Sequence, residues 1–394
     1  MRNPITSRRP QGFTLIEAMV ALTIGLILLT IMSLVFVANG SYRNDLDRSS
    51  RLVENGTYAL QRVSGDAMLA GFYAELDVAT DIGKSLPATA VKPDPCLVTL
   101  AGLRSGLPFY VQGYAAPNST TKPALTGTTC AALLQTPTLA VSDLRAGSDI
   151  LVVRHTEPCA AGPTADTGCD TAVAGIAYFQ ASHCADEAPG GSYNATCDTT
   201  LNRWCALDND YTALTHLHNI GLNCSTGATS VASYHRYYVD IWFVTDNDNV
   251  GDGIPTLKLA QLDVNSGATA FAVSPIAEGI ETMQLEYGID NSTVLDGVAD
   301  AYTADPDTFT NTAGCPGTAT ACPKNWGDVT AIKIHLLGRN TEATPGGYTN
   351  DKTFTLGLKA DGTANTYGPF NDKFKRHVYE TSVRLRNPAD RRQQ

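Results

Sequence analysis

Positive charge is scarce in this chain. Lys and Arg number 28 against 39 Asp and Glu, charged residues make up 17% of the sequence, and the net charge is −11. A protein built to hold nucleic acid presents a basic face, so this balance argues against that role. Catalytic signatures are missing too. The sequence has no nucleophile elbow, no Walker loop and no dinucleotide fingerprint, and it reads as a non-enzyme. Cys-x-x-Cys does not occur, which removes the zinc-ribbon and thioredoxin readings. The histidines are scattered. His216 and His218 would share one face of a strand, but no third ligand accompanies them.

Long apolar runs are also lacking, with one exception at the N-terminus. From Ala18 to Ala38 only Thr23, Thr30 and Ser33 interrupt the apolar text. About 20 such residues cross a bilayer as a helix, and helical they must be, because lipid offers the backbone no hydrogen bonds. A secretory signal peptide has an apolar region of about 7–15 residues. This run is longer, and Phe36-Val37-Ala38 makes a poor cleavage site. The preceding leader, Met1 to Gln11, carries Arg2, Arg8 and Arg9 and no acidic residue, while Arg43, Arg48 and Arg51 follow the run. Flanking charge therefore leaves orientation open. Glu17 stands alone at the edge of the span, where a carboxylate is costly and usually has a task.

Beyond the span the helical period continues. Leu52, Val53, Gly56, Ala59, Leu60, Val63, Ala67 and Ala70 recur at the spacing of one face. Arg48, Arg51, Glu54, Gln61, Arg62 and Asp66 are expected on the opposite face, Gly71 is a plausible stop, and Gly40 and Gly56 would loosen the helix locally. From Asp77 to Gly227 the text turns to Pro, Gly, Thr and Cys, with strands expected at Leu139–Val141 and Asp149–His155. From Tyr234 onward aromatic and β-branched residues favour pleated structure. Strands are expected at Tyr234–Val244, Pro255–Leu262, Ile280–Tyr287, Val329–Leu337 and Val378–Leu385. A helix followed by mainly antiparallel strands is an α+β fold: a long N-terminal transmembrane and amphipathic helix packed on a β-sheet domain with a disulfide-rich insert.

Ten cysteines are present, none in the apolar run: Cys96, Cys130, Cys159, Cys169, Cys184, Cys197, Cys205, Cys224, Cys315 and Cys322. An even number outside the membrane fits five disulfides in an oxidising compartment. Spacing leaves their connectivity open. Local pairing, the cheapest in chain entropy, would give Cys96–Cys130, Cys159–Cys169, Cys184–Cys197, Cys205–Cys224 and Cys315–Cys322.

Two acidic loops place hard oxygen ligands around a glycine turn. One holds Asp246, Asp248 and Asp252, the other Asp290, Asp296 and Asp300. Calcium takes six to eight such oxygens, but neither loop has the EF-hand spacing, and Asx-rich turns give the same composition for local reasons. No other cofactor is implied.

The stretch Gly12-Phe-Thr-Leu-Ile-Glu17, with its basic leader and apolar run, resembles the class III signal of type IV pilins and of type II secretion pseudopilins. That resemblance implies cleavage by a prepilin peptidase after Gly12, N-methylation of Phe13, a cytoplasmic N-terminus, and Glu17 pairing with the free amine of a neighbouring subunit during assembly. Removing the three leader arginines from a net charge of −11 would leave −14 on the mature chain. Arg51 to Arg62, Ala70 to Tyr73, Gly279 to Asp290, Asp296 to Tyr302 and Thr381 to Asn387 are similar to the PilW family of minor pilins. The implied organisation is a leader at 1–12, a transmembrane helix at 13–38, its amphipathic continuation at 39–71, a Cys-rich insert at 77–227 and a β-rich pilin domain at 228–390. The implied role is structural: a minor pilin that primes filament assembly near the pilus tip with other minor pilins and the major pilin, where an adhesin can ride on the complex. It would cross the inner membrane once, with a periplasmic C-terminal domain, before entering the pilus. A type II secretion pseudopilin and a membrane-anchored binding protein or adhesin are the alternative readings.

Overall fold

The structure is a computed structural model. It describes residues 12–74, 76–77, 91–125, 128–130, 144–161, 171–182, 204–210, 232–292, 294–310 and 322–390. The chain divides into two compact units, Met1–Arg51 and Leu52–Gln394. One helix, α1 (Leu15–Leu69), contributes to both.

In the first unit α1 is apolar from Ala18 to Ala38, and its large apolar side chains there are exposed. Its most apolar stretch has a mean hydropathy of 2.7 with no part buried in the protein, the condition of a helix whose solvent is lipid. The second unit begins at Leu52, and here α1 becomes one-sided. Ala59, Val63, Ala67 and Ala70 are fully buried, on the face that the period predicts. Gly71 follows with a φ of +72°, a left-handed conformation that ends the helix at little cost for glycine. Asn387 donates to the carbonyls of Leu69 and Ala70, satisfying acceptors that the helix end would otherwise leave bare.

Two sheets carry the rest. The larger has seven strands around the long β7 (His235–Thr245), which pairs antiparallel with β4 (Ile150–Thr156), β8 (Thr256–Asn265) and, at its first residues, β5 (Tyr178–Ser182). β3 (Val111–Tyr114) extends it beyond β4, β6 (Trp204–Asp208) beyond β5 and β9 (Ala268–Glu278) beyond β8. The smaller sheet runs β11 (Ala301–Thr303), β10 (Ile280–Ile289), β12 (Val329–Arg339), β15 (Arg376–Arg384), all antiparallel. Among the described residues there are also two two-stranded sheets, β1 (Phe72–Tyr73) with β2 (Leu76–Asp77) and β13 (Phe354–Leu358) with β14 (Ala364–Tyr367). The core lies where the sheets and α1 meet. It joins Val63 and Ala67 to Leu151 and Val153 of β4, Trp242 of β7, Leu285 of β10 and Ile334 of β12.

The strands expected at Asp149–His155, Tyr234–Val244, Pro255–Leu262, Ile280–Tyr287, Val329–Leu337 and Val378–Leu385 are β4, β7, β8, β10, β12 and β15. The division at residues 227 and 228 looks different in three dimensions. β3, β4, β5 and β6 come from the Cys-rich stretch, yet they share one sheet with β7, β8 and β9. β4 pairs with β7 from Leu151 to Thr156 and β5 at Tyr178 and Phe179, so these strands are built into the sheet rather than set apart from it. The strand expected at Leu139–Val141 lies outside the described residues.

Candidate functional site

The N-terminal motif comes first. Gly12 and Phe13 precede α1, and Phe13 is 90% exposed. Thr14 is the residue before the first helical turn, and Glu17 is three residues on. The Glu17 carboxylate accepts from the Thr14 N–H (3.0 Å) and from its hydroxyl (2.9 Å), while the Glu17 N–H donates to Thr14 Oγ1 at 3.4 Å. This is a capping box, in which residues three apart satisfy each other's end-of-helix groups. Thr-x-x-Glu is the sequence signature of such a box, a role for Thr14 that the reading of Gly12, Phe13 and Glu17 alone misses. It gives Glu17 a local partner while leaving it exposed.

The second site is the seat of α1 on the sheets. At its upper end the Tyr379 hydroxyl of β15 donates to the Leu52 carbonyl at 2.8 Å. A Cβ on Gly56 would lie 2.2 Å from the Tyr379 ring. Gly56 is therefore there to admit an aromatic ring, not to loosen the helix. Asn55 donates to the Glu278 carbonyl at 3.0 Å. One turn before its end, α1 presents Asp66 to the larger sheet. Asp66 Oδ2 accepts from the Trp242 indole at 2.6 Å, and Asp66 Oδ1 lies 3.1 Å from His155 Nε2. Asp240 Oδ2 is 3.4 Å from the same nitrogen, and its other oxygen accepts from Gln261 at 2.9 Å. His155 Nδ1 is 3.1 Å from the Thr156 carbonyl, and the ring stacks on Tyr238.

The expectation that Asp66 would sit on the solvent face is thus corrected. Its side chain is only 10% exposed. Asp66 flanks Val63 and Ala67 on the helix surface, and the sheet supplies a donor and a cation that make burial of a carboxylate tolerable. Burial alone would lower the His155 pKa, but hydrogen bonds to Asp240 and Asp66 outweigh it and push it up to about 10. Burial, with repulsion from Asp66, pushes Asp240 up to about 7. The imidazole is the charge that lets two buried carboxylates face each other.

The acidic loops are occupied with their own turns. Asp252 accepts from the N–H groups of Asp248, Asn249 and Ile254, and Asp246 pairs with Arg145 at 2.7 Å. Asp248 accepts from the Asn249 side chain. Asp290 accepts from Gly297 N–H, Asp296 from Val298 N–H, and Asp300 from Asn291 N–H and the Ser292 hydroxyl. Among the described residues, neither loop brings three carboxylates within reach of one ion. These contacts are those of Asx turns.

Cys96 and Cys130 form a disulfide. Cys159, Cys205 and Cys322 are also disulfide-bonded. The pairs Cys159–Cys169, Cys184–Cys197, Cys205–Cys224 and Cys315–Cys322 each include a cysteine outside the described residues, where His216 and His218 also lie.

Residues 241–387 match the family model described as Type IV Pilus-assembly protein W, and residues 7–33 match the Prokaryotic N-terminal methylation motif. Over residues 241–387 the chain is similar to a PilW domain. The pilin resemblance read from Gly12–Glu17 and from Gly279–Asp290 thus agrees with two independent matches, one at each end. The PilW match includes the second part of β7, from Ile241, and all of β8 to β15. In β10 every residue is buried, and its carboxylates and its amide are bonded: Glu281 to Arg145 and Arg376, Gln284 to Asp149, and Glu286 to Lys333. The segment that carries the family likeness is thus a buried structural strand, in keeping with a structural, non-enzymatic module. Among solved structures the chain is similar to the type IV-like pilin TTHA1219 from Thermus thermophilus. Identity is 14%, coverage is 43% of this chain and 75% of that chain, and the TM-score is 0.22, too low to carry an argument. No curated protein matches. The N-terminal methylation motif implies processing by a prepilin peptidase and assembly with other pilins, from the inner membrane into the pilus.

Proposed function

We propose that the chain is a structural minor pilin that primes type IV pilus assembly and stays near the filament tip. The observation that carries this reading is the presence of both matches on one chain. α1 starts within the methylation motif, and its last turns belong to the core that the PilW domain shares. Cleavage after Gly12 would free Phe13 for methylation and leave the Thr14–Glu17 capping box intact. The domain would then stand in the periplasm on a single span. Tip placement is supported by bulk. Subunits of a helical filament stack through their N-terminal helices, which leaves limited room for each head. A head running from Leu52 to Gln394, with disulfide-braced loops, fits most easily where one side has no neighbour. The other minor pilins, the major pilin and a tip adhesin are the partners this role calls for.

The test uses Glu17→Leu in the full chain. The variant is expected to be processed and membrane-inserted but depleted from sheared pili by mass spectrometry. Immunogold on wild-type pili should label filament ends. Normal incorporation of the variant removes the assembly role of Glu17, and label spread along the shaft removes tip placement.

A further inference from the structure

We propose that Asp66, His155 and Asp240 form a binding site for one divalent cation of the zinc class, at the seat of α1 on the larger sheet. The three ligand atoms lie within 4.8 Å of one another. His155 Nε2 is 3.1 Å from Asp66 Oδ1 and 3.4 Å from Asp240 Oδ2. Zinc binds nitrogen and carboxylate oxygen at about 2.0–2.2 Å in tetrahedral sites, so neighbouring ligand atoms stand roughly 3.4 Å apart. These spacings need little adjustment to close around such an ion.

Each ligand is also held from behind. His155 Nδ1 faces the Thr156 carbonyl, the free oxygen of Asp66 accepts from Trp242, and that of Asp240 accepts from Gln261. Metal-binding histidines and carboxylates are oriented by partners of this kind. With Nδ1–H donating to the carbonyl, Nε2 is the nitrogen aimed at the two carboxylates. It must present either a proton or a lone pair with a cation beyond it.

Charge favours the cation. Two ionised carboxylates carry −2, and among the described residues no Lys or Arg is paired with Asp66 or Asp240. A net charge in a buried cluster is costly. A divalent ion with neutral imidazole and two carboxylates brings the sum to zero. Asp66 is the most exposed of the three at 10%. That side is the one nearest to solvent. A bound ion would link α1 to β4 and β7 directly.

The experiment titrates zinc into the detergent-solubilised full chain after chelator treatment, by calorimetry, and then records X-ray absorption of the loaded protein. One zinc per chain is expected, in a shell of nitrogen and oxygen without sulfur. His155→Gln and Asp240→Asn should abolish it. Trp242→Phe, which leaves the ligands in place, should weaken binding about 10–100-fold, the usual effect of removing a supporting partner. Full-strength binding in His155→Gln, a shell containing sulfur, or no binding to the wild-type chain overturns the proposal. If either ligand variant fails to fold, the absorption shell and Trp242→Phe decide the matter.

Discussion

The two stretches of α1 solve different problems within one continuous helix. From Leu15 to Arg51 apolar residues such as Met19, Leu26, Leu28 and Leu34 are exposed all round. No face is singled out, and periodicity has nothing to say. From Leu52 to Leu69 one face is closed by Ala59, Val63 and Ala67, and the contacts that fix it are polar: Tyr379 to the Leu52 carbonyl, and Trp242 and His155 to Asp66. Small residues let the helix approach the sheets, and a few directed bonds set its rotation. A lipid-facing helix tolerates any side chain of the right polarity. A seated helix tolerates few of any polarity.

The seated half should be most sensitive to losing the imidazole beneath it. His155→Ala leaves Asp66 and Asp240 facing each other without the imidazole and, among the described residues, without a Lys or Arg paired to either. Stripping one partner from a buried charge cluster costs about 3–5 kcal/mol. Urea unfolding of the detergent-solubilised chain should show a loss of that size. A loss below about 1 kcal/mol would mean that apolar packing alone holds the helix.

The apolar half has its own test at Leu28, which is 57% exposed. Leu28→Asp places a charge near the middle of the span and should cost about 3 kcal/mol of membrane insertion. A membrane-extraction assay should show the variant released, while the fold of the second unit is unchanged. Retention in the membrane would undercut the lipid-facing reading.

How much of this was legible is uneven, and the reasons are physical. β7, β10, β12 and β15 announce themselves because aromatic and β-branched residues fill them. β9 does not. Its text, Ala-Thr-Ala-Phe-Ala-Val-Ser-Pro-Ile-Ala-Glu, is alanine-rich and contains Pro275, and what makes it a strand is ten residues of pairing with β8. β3, β5 and β6 are four or five residues long and are strands because the sheet extends to them. The Asp66 cluster was hidden for a similar reason. A carboxylate on a helix reads as a solvent face, and the partners that bury it lie 89 and 176 residues away. The N-terminal motif, by contrast, is contiguous, and its meaning survives without a fold.

Within the seated half, Gly56 should respond to alanine with a loss. Alanine is the better helix former by about 1 kcal/mol, but its Cβ would stand 2.2 Å from the Tyr379 ring. Relieving that contact means shifting the ring, and with it the bond from Tyr379 to the Leu52 carbonyl. Overpacking of this kind typically costs 1–3 kcal/mol, so Gly56→Ala should lower the unfolding midpoint despite its propensity. A raised midpoint would show that Tyr379 moves aside freely.

Gly65 is the control, nine residues along the same helix. It is exposed, and no atom lies within 4 Å of where its Cβ would be. Gly65→Ala adds nothing that touches the sheets. It removes the conformational freedom that glycine has in the unfolded chain, and the expected gain is about 1 kcal/mol. The same substitution in one helix should therefore have opposite signs at two sites, and the sign should follow the sheet beneath rather than the helix itself. Equal signs in paired urea titrations of Gly56→Ala and Gly65→Ala would mean that helix propensity, not the seat, governs the stability of this half of α1.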